Sequence, residues 1–136
     1  MATGETDSKR VLIADDEINI RRVLEAILRR DGYEVVTAAN GEEALAGMSR
    51  EVNTVITDLK MPGIDGIEVL KRVKQSRPEI EVIILTGHGS EQDRKTCEDL
   101  GAFAYLQKPV DIDVLTETLK KANEKMRQNL AVRKTA

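Results

Sequence analysis

Five short apolar runs, spread along the chain, constrain the fold most. The first, Val-Leu-Ile-Ala at 11–14, is apolar at every position and does not alternate with polar residues. A strand with this pattern is buried on both faces, which is typical of a parallel sheet covered by helices on either side. The predicted strands are residues 11–14, 33–38, 54–57, 81–85 and 103–106. The pattern therefore predicts an α/β protein.

A helical pattern follows each strand. After the first strand, apolar residues recur at Ile20, Val23, Leu24, Ile27 and Leu28, which is the spacing of an amphipathic helix. Further helices are predicted at about 40–50, 66–76, 90–100 and from 111 to about 130. Each connection is long enough to join two parallel strands, so the helices should cover both faces of a five-stranded parallel sheet.

The length of 136 residues suits one domain. We expect residues 1–8 to be a disordered lead-in and residues 9–124 to form the domain. Residues 125–136 are predicted to be an extended helix end or a linker tail. Three interpretations of this segment stay open, namely an exposed helix end, a linker to an output domain and a dimer contact.

Composition argues against several classes of function. Three aromatic residues leave little surface on which bases or a flavin ring could stack. A net charge of −3 does not favour binding to nucleic acid or to an anionic membrane. The single cysteine, Cys97, rules out an internal disulfide and fits a reducing compartment. Since no apolar run approaches ~18 residues, we expect a cytoplasmic protein without a direct nucleic-acid or membrane partner.

Reactive side chains follow four of the five strands. Asp15 and Asp16 end the first strand, Asp58 the third, Thr86 the fourth and Lys108 the fifth, whereas the second ends in two alanines. In an open parallel sheet, sites form beyond the carboxyl ends of the strands, where the strand order reverses. The distribution matches the order 2-1-3-4-5, with the second strand at an edge.

These side chains suit phosphoryl transfer onto Asp58. Three carboxylates in one crevice repel each other, and Mg²⁺ with oxygen ligands relieves that repulsion. Lys108 supplies a cation for a phosphoryl oxygen, and Thr86 can donate a hydrogen bond to another. A metal, a cation and a donor around one carboxylate are the parts that phosphoryl transfer requires.

The chain resembles the receiver domain of two-component response regulators over residues 9–124. The resemblance rests on four motifs: Asp15-Asp16, Asp58 followed by Met-Pro-Gly-Ile-Asp-Gly at 61–66, Thr86-Gly87, and Lys108-Pro109. It implies a doubly wound (βα)5 three-layer sandwich of the flavodoxin-like type.

The resemblance also implies a role for each site residue. Asp58 would accept a phosphoryl group from the phosphohistidine of a sensor histidine kinase or of a histidine phosphotransfer protein. Mg²⁺ (or Mn²⁺) would bind Asp16, Asp58 and the backbone carbonyl of Lys60 directly, and Asp15 mostly through water. Thr86 and Lys108 would bind the phosphoryl group.

The remaining implied roles concern the switch and the rim of the site. Thr86 would move toward the phosphoryl group and Tyr105 would follow inward, while the peptide bond before Pro109 would be cis. Lys60 and His88 are expected at the rim, where they would tune the phosphoryl lifetime.

The fourth predicted helix has few apolar anchors, so it is the natural element to shift. We expect the face formed by the fourth helix, fifth strand and fifth helix to carry the signal to an unknown downstream effector or to a second copy in a homodimer.

Three other functions compete with this interpretation. A flavin-binding protein of the same fold would need a phosphate-binding loop after the first strand, where this chain has acids. A metal-dependent phosphatase with an aspartyl nucleophile matches the chemistry, but the chain has no cap domain for a substrate. A binding module that works without phosphorylation would have no need for the acids, Thr86 and Lys108.

Overall fold

A computed structural model of the protein describes residues 9–49 and 51–135. The strands are β1 Arg10–Ala14, β2 Glu34–Ala38, β3 Thr54–Thr57, β4 Glu81–Thr86 and β5 Ala104–Gln107. The helices are α1 Ile18–Arg30, α2 Gly41–Ala46, α3 Gly66–Ser76, α4 Glu91–Asp99 and α5 Ile112–Thr135. The predicted lead-in, residues 1–8, lies outside the described residues.

The strands form a single parallel sheet in the order β2-β1-β3-β4-β5. Helix α1 connects β1 to β2, which lies at one edge of the sheet. Strands β3, β4 and β5 follow in order on the other side of β1. This confirms the predicted fold and strand order. Within the described residues, no helix is both long and apolar enough to cross a membrane.

Because successive side chains of a strand point to opposite faces, each apolar strand contributes to two core layers. Leu12 and Ala14 of β1 pack in the layer that α2, α3 and α4 cover. Val11 and Ile13 pack in the other layer, against α1 and α5. The continuous apolar runs in the sequence are therefore explained by burial on both faces.

Local capping residues fix most of the helix starts. The side chains of Asn40, Asp65 and Ser90 accept hydrogen bonds from the first turns of α2, α3 and α4. Gly32 follows α1 with a φ of 96°, a conformation in which a side chain would be strained. These positions agree with the predicted starts and with the predicted end of α1.

Two sequence expectations about the helices were wrong. Helix α2 ends at Ala46 and not near residue 50, because Gly47 caps it and the chain then turns toward β3. Val23 of α1 is 55% exposed, although its spacing placed it on the inward face. Leu24 and Leu28 of that stripe are buried, and Ile20 and Ile27 are partly buried.

Helix α5 runs without a break through the predicted domain boundary at residue 124. Met126 is buried, and the Asn129 side chain donates to Glu79 O at 3.1 Å and to Glu81 Oε2 at 2.7 Å. Glu81 is the first residue of β4, so this part of α5 packs at the edge of the sheet opposite the carboxyl ends of the strands.

Candidate functional site

The strand register brings the predicted acids side by side. Ala14 pairs with Thr57 in neighbouring parallel strands, so Asp15 and Asp58 leave the sheet at the same level. With Asp16, they offer one carboxylate oxygen each within 4.8 Å of one another. The structure therefore gathers the three acids that the sequence analysis selected.

Asp58 lies at the centre of this group and is only 5% exposed. Its Oδ1 accepts a hydrogen bond from the Leu59 amide at 2.7 Å, and its Oδ2 accepts one from Lys108 Nζ at 3.1 Å. The following loop returns closely enough that a side chain on Gly66 would collide with the Asp58 carbonyl. This packing holds the carboxylate of Asp58 in a fixed position.

The neighbouring acids Asp15 and Asp16 have different environments. Asp15 is buried, and its carboxylate accepts from the Glu17 amide at 2.9 Å and from Lys108 at 2.8 Å. Burial raises the pKa of Asp15, although the hydrogen bond from Lys108 opposes that shift. Asp16 is exposed at the mouth of the crevice. One acid of the pair thus belongs to the interior and the other faces solvent.

Lys108 connects the acids across the crevice. Its Nζ lies 2.8 Å from Asp15, 3.1 Å from Asp58 and 3.1 Å from Glu17. Burial disfavours the charge on this lysine, but the hydrogen bonds to Asp15 and Asp58 outweigh burial and raise its pKa. The Lys108–Pro109 peptide bond is cis, the isomer that the resemblance implied.

Glu17 is a contact that the sequence analysis missed. It is the N-cap residue of α1, and its side chain makes no capping hydrogen bond. Its carboxylate is exposed yet pairs with Lys108. The available signal was its position two residues after Asp15, in the loop that leaves β1.

The other predicted residues surround this centre. Thr86 is fully buried at the end of β4, and its Oγ1 accepts from the His88 amide at 3.2 Å. His88 is exposed at the rim. The Lys60 ammonium lies 3.5 Å from Asp93 Oδ2, so it pairs with α4.

Tyr105 lies on β5 and is buried, so its ring already occupies the inward position toward which the resemblance implied that it would move. The Arg94 guanidinium stacks 4.7 Å from the centre of its ring. Burial raises the pKa of the Tyr105 hydroxyl, and the charge of Asp93 adds to that effect. Tyr105 thus packs between β5 and α4, next to the element that the sequence analysis expected to shift.

The donor set fits a hard divalent cation. Three carboxylate oxygens converge, and the Lys108 ammonium contacts the carboxylates of both Asp15 and Asp58. Oxygen-rich sites with one or two carboxylates and room for a phosphate are typical of Mg²⁺.

An apolar groove opens beside the acids, with a volume of about 580 Å³. Ile20, Val23 and Leu24 of α1 form one wall, and Pro109 and Val110 form the other. The exposed side chain of Val23 is explained by this groove, since it lines an open surface and not the core.

Comparison with known proteins agrees with the geometry. The family described as response regulator receiver domain matches residues 11–120. Sporulation initiation phosphotransferase F of Bacillus subtilis is 39% identical over 115 residues, which are 84% of this chain and 93% of that protein.

Two further proteins match the same part of this chain. The DNA-binding transcriptional regulator NtrC of Salmonella typhimurium is 39% identical over 113 residues, which are 82% of this chain but 24% of that protein. The crystal structure of the response regulator TrrA from Thermotoga maritima, in complex with Mg²⁺ and a beryllium fluoride, superposes with a TM-score of 0.76. It is 39% identical and covers 84% of this chain and 98% of that one.

The fold, the convergent acids and these matches lead to one conclusion. Receiver domains are regulatory and are phosphorylated on an aspartate. This chain belongs to the receiver domain family of two-component response regulators.

Proposed function

We propose that Asp58 accepts a phosphoryl group from the phosphohistidine of a sensor histidine kinase or of a histidine phosphotransfer protein. One observation carries this assignment: Asp58 is a buried carboxylate at the focus of two further acids and one lysine. An oxygen of Asp58 attacks phosphorus, the bond from phosphorus to the histidine nitrogen breaks, and that nitrogen keeps the electron pair. Lys108 then neutralises a phosphoryl oxygen.

Asp15, Asp16, Asp58 and the Lys60 carbonyl would hold Mg²⁺ (or Mn²⁺). When bound, the cation neutralises charge on the phosphoryl oxygens. Support comes from the convergence of the three carboxylates and from the TrrA complex, which contains Mg²⁺. Asp16 is the exposed acid and meets an incoming cation first, whereas Asp15 is already engaged by Lys108.

The phosphodonor docks on the groove beside α1. Val23, an apolar residue of α1 that is 55% exposed, lines this groove together with Ile20, Val110 and Lys108. Exposed apolar patches of this kind mark interaction sites. A partner helix that presents a phosphohistidine would cover these side chains while its phosphoryl group reaches Asp58.

The signal leaves through the face formed by α4, β5 and α5. Cys97 is the only fully buried residue among the nine of α4, so the helix is weakly anchored. Thr86 would move toward the phosphoryl group and Tyr105 would respond, which shifts α4. The changed face then binds a downstream effector or a second copy in a homodimer, while Lys60 and His88 at the rim tune the phosphoryl lifetime.

Incubation with Mg²⁺ and a small phosphodonor tests the central assignment. The intact mass should increase by one phosphoryl group, and hydroxylamine should remove it because acyl phosphates are labile to it. Asp58→Asn and excess EDTA should each abolish the gain, whereas the exposed control Asp99→Asn should retain it. A gain in Asp58→Asn would refute the assignment.

The same experiment separates a phosphoacceptor from a phosphatase with an aspartyl nucleophile. A phosphoacceptor takes up one equivalent and releases phosphate slowly. Continuous release of inorganic phosphate from simple phosphomonoesters, dependent on Asp58, would favour the phosphatase instead.

A further inference from the structure

The loop between β4 and α4 contains a glycine that touches Tyr105. A methyl group built on Gly89 would lie 1.6 Å from the Tyr105 hydroxyl oxygen and 2.9 Å from its ring carbon Cζ. It would also lie 3.1 Å from the Thr86 methyl carbon. Real carbon atoms do not approach an oxygen to 1.6 Å, so the buried position of Tyr105 excludes any side chain at position 89.

The two other residues in this contact are those for which a switch role is proposed. Thr86 is the last residue of β4, and Tyr105 of β5 stacks against Arg94 of α4. The absence of a side chain at Gly89 therefore permits the buried position of Tyr105, and a side chain there would block it.

We propose that Gly89 is a positioning residue that admits Tyr105 to its buried site, and so sets the balance between the inward and outward positions of that ring. This inference rests on the proposed switch role of Tyr105. A side chain at position 89 would drive the ring outward and expose an aromatic group on the face formed by α4, β5 and α5.

The collision is with a movable group and not with the backbone. The hydroxyl is the far end of a side chain that can rotate about its Cα–Cβ bond. Within the described residues, this buried hydroxyl has no hydrogen-bond partner. In the inward position the ring is held by packing and by Arg94, while in the outward position the hydroxyl would bond to water. The ring therefore has a second position available when the first is blocked.

The backbone at Gly89 does not itself require glycine. Among the described residues, the glycines with positive φ are Gly32, Gly63 and Gly101. Alanine at position 89 is thus free of backbone strain, and its effect would come from the contact with Tyr105.

The same loop offers a matched control. A methyl group on Gly87 would have Lys108 side-chain carbons at 3.7 and 3.9 Å as its nearest neighbours, which are ordinary contacts. Gly87→Ala therefore adds the same atom two residues away without reaching Tyr105.

The position of the ring can be measured without phosphorylation. With tyrosine labelled on the ring, the unphosphorylated wild-type protein should show nuclear Overhauser effects between Tyr105 and both the Thr86 methyl group and the Gly89 α protons. Gly89→Ala should lose the effect to the Thr86 methyl group, and Gly87→Ala should keep it. Retention of that effect in Gly89→Ala would overturn the proposal, whether or not Asp58 is the phosphoacceptor.

A double-mutant comparison separates positioning from general damage to the loop. Gly89→Ala should increase hydrogen exchange in α4 when Tyr105 is present and change it less than twofold in a Tyr105→Ala background. An equal increase in both backgrounds would show that Gly89 acts on the loop alone, and would refute the proposal.

Discussion

Replacement of Lys108 by methionine tests how the acidic site is held together. Asp15 and Asp58 are both almost fully buried, and the Lys108 ammonium touches each. Methionine removes that charge but keeps a long apolar side chain. Breaking a buried ion pair from one side costs about 3–5 kcal/mol, because the opposite charges stay buried without a partner.

The expected loss of unfolding free energy can be refined from the environments of Glu17 and Asp15. Glu17 is the third partner, but its side chain is 58% exposed, and exposed pairs contribute only about 0–1 kcal/mol. The pKa of Asp15 is already raised by burial, so this acid can take up a proton and limit the loss. We therefore expect Lys108→Met to lower the free energy of unfolding by about 3 kcal/mol near pH 7 without metal, at the low end of the range.

Magnesium should stabilise Lys108→Met more than it stabilises the wild type. For a ligand at 100 times its dissociation constant, stabilisation is about 2.7 kcal/mol. In Lys108→Met the cation no longer competes with the ammonium and also relieves the repulsion that the lysine relieved. The increase in unfolding free energy on adding Mg²⁺ should therefore be larger in the variant than in the wild type.

Urea unfolding followed by far-ultraviolet circular dichroism measures both quantities, first in EDTA and then in saturating MgCl₂. Lys71→Met, on the exposed face of α3, is the matched control and should change neither quantity by more than about 0.5 kcal/mol. The reasoning fails if Lys108→Met is as stable as wild type in EDTA, or if Mg²⁺ stabilises the two proteins equally.

Further predictions concern the core and the helix ends. Burial, reinforced by Asp93, raises the pKa of the Cys97 thiol to about 11. A raised pKa in the folded state means that the contribution of the thiol to stability is present below its unfolded pKa and is lost as the pH rises through about 11. Unfolding free energy should thus fall by about 3 kcal/mol more in wild type than in Cys97→Ala between pH 8 and 12, measured with urea; parallel pH curves would contradict this. Asn129→Ala removes two hydrogen bonds, one to the Glu79 carbonyl and one to the Glu81 carboxylate, so it should destabilise by about 1–3 kcal/mol in urea, unlike the exposed neighbour Gln128→Ala. Ser90→Ala removes the capping box of α4 and should cost about 1 kcal/mol, with hydrogen exchange increased first in that helix; an increase that begins in α3 would be inconsistent with local capping.

The strand order was predictable because the strands appear in the sequence as short apolar runs, and because the residues that follow each run differ in chemistry. Each strand has an apolar centre, and the reactive residues fall where a parallel strand leaves the sheet. Asp15, Asp58, Thr86 and Lys108 could therefore be selected and brought together by register alone.

The details that depend on side-chain direction were not predictable. Asp15 and Asp16 are adjacent in sequence, yet one is buried against Lys108 and the other is exposed, at a bend where the chain leaves β1. Val23 fits the spacing of an inward helix face but borders an open groove. The contact between Gly89 and Tyr105 depends on the path of the loop between β4 and α4, and no periodic pattern in the sequence predicts that path.

The length of α5 has a mechanical consequence. Its 24 residues span about 36 Å, so a tilt of about 5° at its first turn would displace its far end by about 3 Å. The helix begins three residues after the cis bond to Pro109, next to the acids, and is fastened by Asn129 at the opposite edge of the sheet. With one end near the site and a second point of attachment about 17 residues further on, α5 is held against tilting, and the Asn129 side chain also opposes rotation of the helix about its axis. Any displacement of the far end of α5 would therefore first have to break the hydrogen bonds of Asn129 to Glu79 and Glu81.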